Sequence, residues 1–283
     1  PKNIDTWTHF RHGPNGNPVS QDQVIQVPRG VQWMAGPQWP TGHRKQAVPT
    51  VVVSEKRLIY VFQDEVNDSG KATKQDSLIV RDAFNGLPLW KRKAPSKYLV
   101  ADGDIFFTAD QRGTLSALDA DTGEPVTGFQ PPRAIKVHGL MVHEKFLFIG
   151  SDDGLVCMDK KSGAIKWEQE IKLKGKNQFI IADDSIFAHV DDSRRGKGSF
   201  FVCFDLETGR EKWLQPTSDW AKSAPDLILY QSGVLVSANK EGNDGVSAKT
   251  GKHLWSYTYS LIGHGGSYAK IMAMHDLVWI HKA

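Results

Sequence analysis

Cysteine is scarce in this chain: 283 residues include two, Cys157 and Cys203, and they are not adjacent. That excludes a small fold stapled by disulfides, and it leaves the redox compartment open. No run of 18 apolar residues occurs, so no helix of this sequence is long and apolar enough to span a membrane. Neither sign of charge dominates. With 35 basic and 32 acidic residues the formal net charge is +3, which gives no reason to expect nucleic acid or an anionic membrane as partner. A 3.6-residue apolar period long enough for a core helix is missing too. So are a Cys-x-x-Cys-His haem motif, a Ser-His-Asp order, a Gly-rich phosphate loop and a paired-carboxylate signature. The chain opens on Pro1 with no charged-then-apolar leader and ends at His281-Lys-Ala283, which leads us to expect a piece of a longer chain or complex.

What the chain has is repetition. A short apolar run is followed by an Asp, a Gly four residues on and a Trp four residues after that. The copies are anchored at Asp82, Gly86 and Trp90; at Asp119 and Gly123; at Asp159, Gly163 and Trp167; at Asp205, Gly209 and Trp213; and at Gly251 and Trp255. Thr127 stands in place of the second Trp and Ser247 in place of the fifth Asp. Anchor positions 82, 119, 159, 205 and 247 are 37, 40, 46 and 42 residues apart, the length of one four-stranded propeller blade. Between anchors lie β-rich runs punctuated by Asp/Gly turns, which predict an antiparallel meander. The repeat Asp is suited to accept hydrogen bonds from the turn after it, the Gly to take positive φ, and the Trp to cover a neighbouring sheet. These are structural roles.

The spacing differs from a sialidase-type Asp box, and no Gly-His to Trp-Asp pairing of the WD40 kind occurs. The phrase Ala117-Leu-Asp119-Ala-Asp-Thr122-Gly123, with the Trp of its sister copies, resembles instead the tryptophan-docking motif of the pyrroloquinoline-quinone-like (PQQ-like) propeller repeat. The resemblance spans about residues 31 to 283. It implies an all-β fold, a β-propeller of four-stranded antiparallel blades with five to six present, part of a seven- or eight-bladed ring. Residues 1–30 then form an N-terminal extension and 31–283 an incomplete propeller, with Trp33 the outer-strand Trp of an unfinished blade. The opening, Trp7-Thr-His9-Phe-Arg-His12 to Val31-Gln-Trp33, looks like that of large exported PQQ-like repeat proteins. The superfamily includes quinoprotein dehydrogenases and non-catalytic propellers such as the outer-membrane assembly lipoprotein. Both work outside the cytoplasm, so the resemblance implies an extracytoplasmic protein, periplasmic, outer-membrane-associated or secreted.

The departures favour the non-catalytic branch. The vicinal Cys-Cys pair of the quinoprotein alcohol dehydrogenases is absent. We therefore expect a binding or scaffold domain for a protein or an anionic polymer or glycan, with no catalytic residue and no metal site. The alternative is a quinoprotein oxidoreductase carrying PQQ and calcium, or the propeller part of a larger enzyme. Loops joining one blade to the next contribute His43, Arg44, Lys97, Arg133, Trp220, Lys222 and His264, with Lys45, Lys174 and Lys176 beside them. Converging cations there would focus an anionic ligand. Two polar insertions, 64–77 and 191–199, fall between second and third strands and should rise on that same face. His9 and His12 lie three apart, but Gly13-Pro14 follows at once and argues against a metal-binding helix. His138, His143, His189 and His275 read as hydrogen-bonded core or edge groups. Cys157 and Cys203 share a repeat position with Val80, Ala117 and Gly245, which reads as a small-residue packing site for free thiols.

Overall fold

The structure is a computed structural model, and it describes residues 4–24, 30–34, 48, 50–68, 71–94, 98–174, 179–191, 198–217, 227–239, 242–258 and 270–281. All regular structure among them is β. The first sheet runs β1 (Thr50–Ser54), β2 (Arg57–Asp68), β3 (Lys71–Asp82) and β4 (Pro88–Lys93). The second has β5 (Leu99–Asp102), β6 (Ile105–Ala109) and β7 (Leu115–Asp119). The third has β8 (Val137–His143), β9 (Phe146–Ser151), β10 (Leu155–Asp159) and β11 (Ile165–Gln169). The fourth has β12 (Lys172–Leu173), β13 (Phe179–Ala182), β14 (Ser185–Asp191), β15 (Ser199–Asp205) and β16 (Glu211–Pro216). The fifth has β17 (Leu227–Gln231), β18 (Val234–Ala238), β19 (Gly242–Ser247) and β20 (His253–Thr258), and β21 (Lys270–Met274) pairs with β22 (Leu277–His281) as a sixth.

Every pairing is antiparallel between consecutive strands, save that β12 and β13 share β14, so each sheet is a meander and a propeller blade. The second sheet departs from the expected four strands. Its outer strand shrinks to one bridge, Leu118 to Pro125, in the one copy where Thr127 stands in place of the Trp. The insertion at 64–77 is no irregular loop either. It prolongs β2 and β3 to 12 residues each, paired through to Asp68 and Lys71.

The residues fall into two compact units, Pro1–His12 with Ser20–Lys136 and Gly13–Val19 with Val137–Ala283. The division follows the repeat in which Thr127 replaces the Trp. In each unit the middle strands are buried and largely apolar, as in Phe146-Leu-Phe-Ile. Outer strands such as β11 alternate between covered and exposed. Val52 and Ile59 of the first sheet pack on Leu99 and Phe106 of the second, and Ile180 and Phe187 of the fourth on Ile228 and Leu235 of the fifth. Burying each such side chain contributes roughly 1.5–3 kcal/mol.

Candidate functional site

The five repeat phrases all become turns between third and fourth strands. Asp119 Oδ1 accepts from the Thr122 N–H and hydroxyl, each at 2.8 Å. Asp159 does the same with Ser162 at 2.8 Å, and Asp205 with Thr208 at 2.9 and 2.7 Å. The Ser162 N–H first, then its hydroxyl, hold the Asp159 carboxyl below the usual range, and the Thr208 hydroxyl leads for Asp205. Gly123 closes its turn at φ +70° by donating to the Asp119 carbonyl at 2.7 Å.

A bulge in each outer strand then aims the Trp. Cys157 faces Trp167 while Met158 faces Ile165, so Lys166 is the extra residue. The aimed indole reaches the next sheet. Trp90 Nε1 donates to the Ala120 carbonyl at 3.0 Å, Trp167 to Leu206 at 3.2 Å, Trp213 to Ala248 at 3.0 Å and Trp33 to Ala83 at 3.0 Å. Each acceptor is the residue after the repeat Asp, or after Ser247 in its place. The ring lies on the next Gly, so that a Cβ at Gly209 would come within 2.6 Å of Trp167. Two residues beyond the Trp, Arg92 and Gln169 donate to the Gly123 and Gly209 carbonyls at 2.6 and 2.8 Å. That second latch is missed by the repeat reading, although Trp-x-Arg/Gln recurs at Trp90, Trp167 and Trp213 and would have shown it.

The geometry also explains the small-residue position. Val80, Cys157, Cys203 and Gly245 each face the Trp of their own sheet across the ladder, leaving little room beneath the ring. Both cysteines are free, in separate core clusters. Burial pushes the Cys157 thiol up to about 12 and Cys203 up to about 11, so neither is a nucleophile at neutral pH.

Of the candidate loop residues, His43, Arg44, Lys45, Lys97, Lys176, Trp220, Lys222 and His264 lie outside the described residues. Arg133 is described: it is exposed in the segment after the second sheet, two residues before Ile135 donates its N–H to Gly113 at the β6–β7 turn. Lys174 has its ammonium 3.1 Å from Asp191, so its charge is met within the fourth sheet. Residues 192–197 of the second insertion lie outside the described residues. Among the described residues no three His, Cys, Asp or Glu side chains are grouped to hold a metal ion.

The opposite strand ends hold what sequence reasoning did not foresee. In the first unit Trp7 exchanges backbone hydrogen bonds with Val53 of β1 at 2.9 and 2.7 Å, and the Thr8 carbonyl accepts from Ala101 of β5 at 2.9 Å. Residue 13 onward continues the pattern in the second unit. Pro14 and Asn15 carbonyls accept from Ile181 of β13 and Tyr230 of β17, and the Asn17 amide pairs with both the N–H and carbonyl of Ala273 on β21, at 3.0 and 2.7 Å. All five receiving residues stand next to last in their strands. Asp5 ties the segment back, accepting from His12 Nε2 at 2.6 Å, Ser20 and Gln21. His9 and His12 thus belong to a hairpin held by Asp5, and no helix forms.

Beside it in the first unit a cleft of about 510 Å³ is lined by Ile4, Thr6, Glu55, Lys56, Arg57, Phe84 and Asp104. The buried Arg57 guanidinium is met by Asp121 on two nitrogens and by Asp104, hydrogen bonds that hold it firmly charged despite burial. Its register position is Ile105 in the second sheet and Phe146 in the third, so the repeat pattern gave no sign of it.

Residues 133–268 match the family model described as outer membrane protein assembly factor BamB. With the docked tryptophans, that settles the repeat. These are PQQ-like repeats. No curated protein matches the chain in sequence. Among solved structures, the chain is similar to BamB from Moraxella catarrhalis, at 16% identity and TM-score 0.55 over 83% of this chain and 79% of that one. It is similar to a europium-containing methanol dehydrogenase at 10% identity and TM-score 0.62, over 91% of this chain but 59% of that one. A quinohemoprotein alcohol dehydrogenase from Comamonas testosteroni matches at 13% and 0.54, over 74% of this chain and 42% of that one. At such identities the likeness is one of fold. No helix among the described residues is long and apolar enough to cross a membrane.

Proposed function

We propose that this chain is a non-catalytic, extracytoplasmic PQQ-like propeller domain that binds a protein partner through the strand ends bearing the β2–β3 hairpin. The observation that carries the reading is that hairpin. β1 pairs only with Arg57–Val61 and β4 only with Ser77–Arg81, so the rest of β2 and β3 is a two-stranded ribbon beyond its own sheet. A two-stranded ribbon is marginal alone in water, and its outer edges, which no further strand among the described residues pairs, suit strand-to-strand recognition. The repeat residues are committed to packing sheet on sheet, which leaves recognition to such projections. The anionic-polymer reading rests on Arg44, Arg133 and their neighbours, and of these only Arg133 and Lys174 are described, Lys174 being met by Asp191.

The test replaces residues 64–75 by a two-residue Asn-Gly turn and places photo-crosslinking residues, in separate variants, along the ribbon and at the Glu55–Lys56 turn. A discrete protein adduct from ribbon positions, absent from the turn positions and from the shortened variant, supports the reading. Adducts independent of position sink it. Incubation with PQQ and Ca²⁺ followed by desalting tests the oxidoreductase alternative, which requires the cofactor's absorbance to stay with the protein.

A further inference from the structure

Two departures from the repeat meet at one place in the first unit. Where the second strand faces the repeat Asp, or Ser247 in its place, the copies of Arg57 are Ile105, Phe146, Ser185 and Val234. Among these five sheets the first alone carries a charge there. Two residues after the repeat Asp, the copies of Phe84 are Asp121, Lys161, Glu207 and Lys249. Four turns present a charge to solvent at that point and one presents a phenyl ring, 38% exposed. Both residues line the cleft of about 510 Å³, which the β1–β2 turn of the first sheet shares with Asp104 of the second. The Ser54 hydroxyl donates to the Gly103 carbonyl at 2.8 Å and ties those two turns together.

A buried guanidinium costs desolvation, and two aspartates are spent on holding it. Arg57 donates to both carboxylate oxygens of Asp121 and to one oxygen of Asp104, so its charge is answered and its place is fixed. The lining then offers hydrogen-bonding groups of both kinds. Glu55 and Asp104 accept, Lys56 and Arg57 donate, and the Thr6 hydroxyl does either. That inventory excludes the simpler ligands. Glu55, Asp104 and Asp121 oppose an anion, Lys56 and Arg57 oppose a cation, and an apolar molecule would strand the polar lining. Hydroxyl groups, which give and take hydrogen bonds without net charge, meet all of it. Phe84 supplies the apolar surface on which the C–H side of a sugar ring packs. We propose that this cleft binds an uncharged saccharide, with its hydroxyls shared among Glu55, Asp104, Lys56 and Thr6 and one ring against Phe84. The volume lies in the range of small-ligand sites. The site goes beyond partner binding by the ribbon, because Arg57 opens β2 and the ribbon ends it, and either reading can fail alone.

The experiment is an NMR titration of the whole chain, labelled at isoleucine and threonine methyls, with cellotetraose, maltotetraose and mannotetraose as neutral probes. A galacturonate oligomer, a glucosamine oligomer and cyclohexanol are the anionic, cationic and apolar comparators. A saturable shift of the Ile4 and Thr6 methyls is expected with a neutral probe, at lower concentration than with any comparator. Phe84→Asp, which matches Asp121 in the second sheet's turn, should weaken that binding about tenfold, and Thr6→Val should weaken it by a similar factor. Lys249→Ala, at the copy of Phe84 in the fifth sheet, should leave it unchanged. Unfolding midpoints and an otherwise unaltered methyl spectrum check that the variants are folded, and either of the first two serves if the other is not. The absence of a saturable shift with all three neutral probes, up to their solubility, overturns the inference. Equal or tighter binding of a comparator, or binding that survives both substitutions, overturns it as well.

Discussion

His189 makes one sheet sensitive to acid. It lies on β14 with no exposed surface, both ring nitrogens lack a hydrogen-bond partner, and its ring meets Phe201 edge-on at 5.4 Å. Burial, with the Lys174 charge adding to it and Asp191 opposing, pulls the imidazole down from 6.5 to about 4. A base depressed in the folded state contributes its full stability above the unfolded value. That contribution is lost as pH falls, since the unfolded chain binds the proton first. The whole effect is about 3 kcal/mol, of which about 2 kcal/mol is gone by about pH 5. In the first sheet the same position is Val61, and in the second Ala109, so His189→Val is a substitution the repeat already accepts. Urea unfolding at about pH 7.5, 6 and 5 should show the wild type losing roughly 2 kcal/mol more than His189→Val. Near pH 7.5 the two should be close, the valine gaining from two fewer unpaired polar atoms and losing some packing. Equal losses in both proteins would refute the reasoning, and an NMR titration placing the ring near 6.5 would refute its premise.

The indole latches predict a graded series: Trp90→Phe, Trp167→Phe and Trp213→Phe each strand a carbonyl and cost about 1–2 kcal/mol, whereas Trp255, with no such acceptor among the described residues, should cost well under 1 by the same urea assay. Gly209→Ala should cost roughly 2–4 kcal/mol, from the positive φ plus the clash with Trp167. Gly103→Ala, equally left-handed but with open space around its Cβ, should cost only about 1, and equal costs would remove the packing argument. With thiols at about 12 and about 11, neither cysteine should react with a disulfide reagent at about pH 8 until urea opens its cluster, and prompt labelling would contradict the burial described.

The fold was legible because the repeat writes the same local chemistry five times. Asp159 and Ser162 form one turn, Asp205 and Thr208 another, and each depends on residues within four positions, which is where sequence is most informative. Even the cysteines were placed correctly from their sister residues. The site was less legible. The bonds that fasten residues 7–17 to the inner strands are mostly backbone to backbone, and no side-chain pattern announces them. Asn17 and Ala273 are 256 positions apart. Arg57 occupies an apolar repeat position, and only its partners Asp104 and Asp121, from another sheet, make the charge tolerable there. His189 was read as a hydrogen-bonded core histidine, but its slot was shaped for Val or Ala and holds no polar partner.

These failures share a cause that bears on function. A repeat fixes each sheet's contract with its neighbours: the Asp shapes a turn, the turn offers a carbonyl, and the previous sheet's Trp takes it. Groups spent in that way cannot also meet a ligand, and the shifts at Asp159 and Asp205 follow chiefly from the hydrogen bonds of the turns, with Lys166 and Lys212 adding to them. Whatever distinguishes this chain must therefore lie where a copy breaks ranks, as at Arg57, His189 and the lengthened β2–β3 hairpin. Each of those positions costs the fold something that its sister copies avoid, whether a buried charge, unpaired nitrogens or an unsupported ribbon. A cost carried at one copy and absent from the others is a better pointer to function than any feature the copies share.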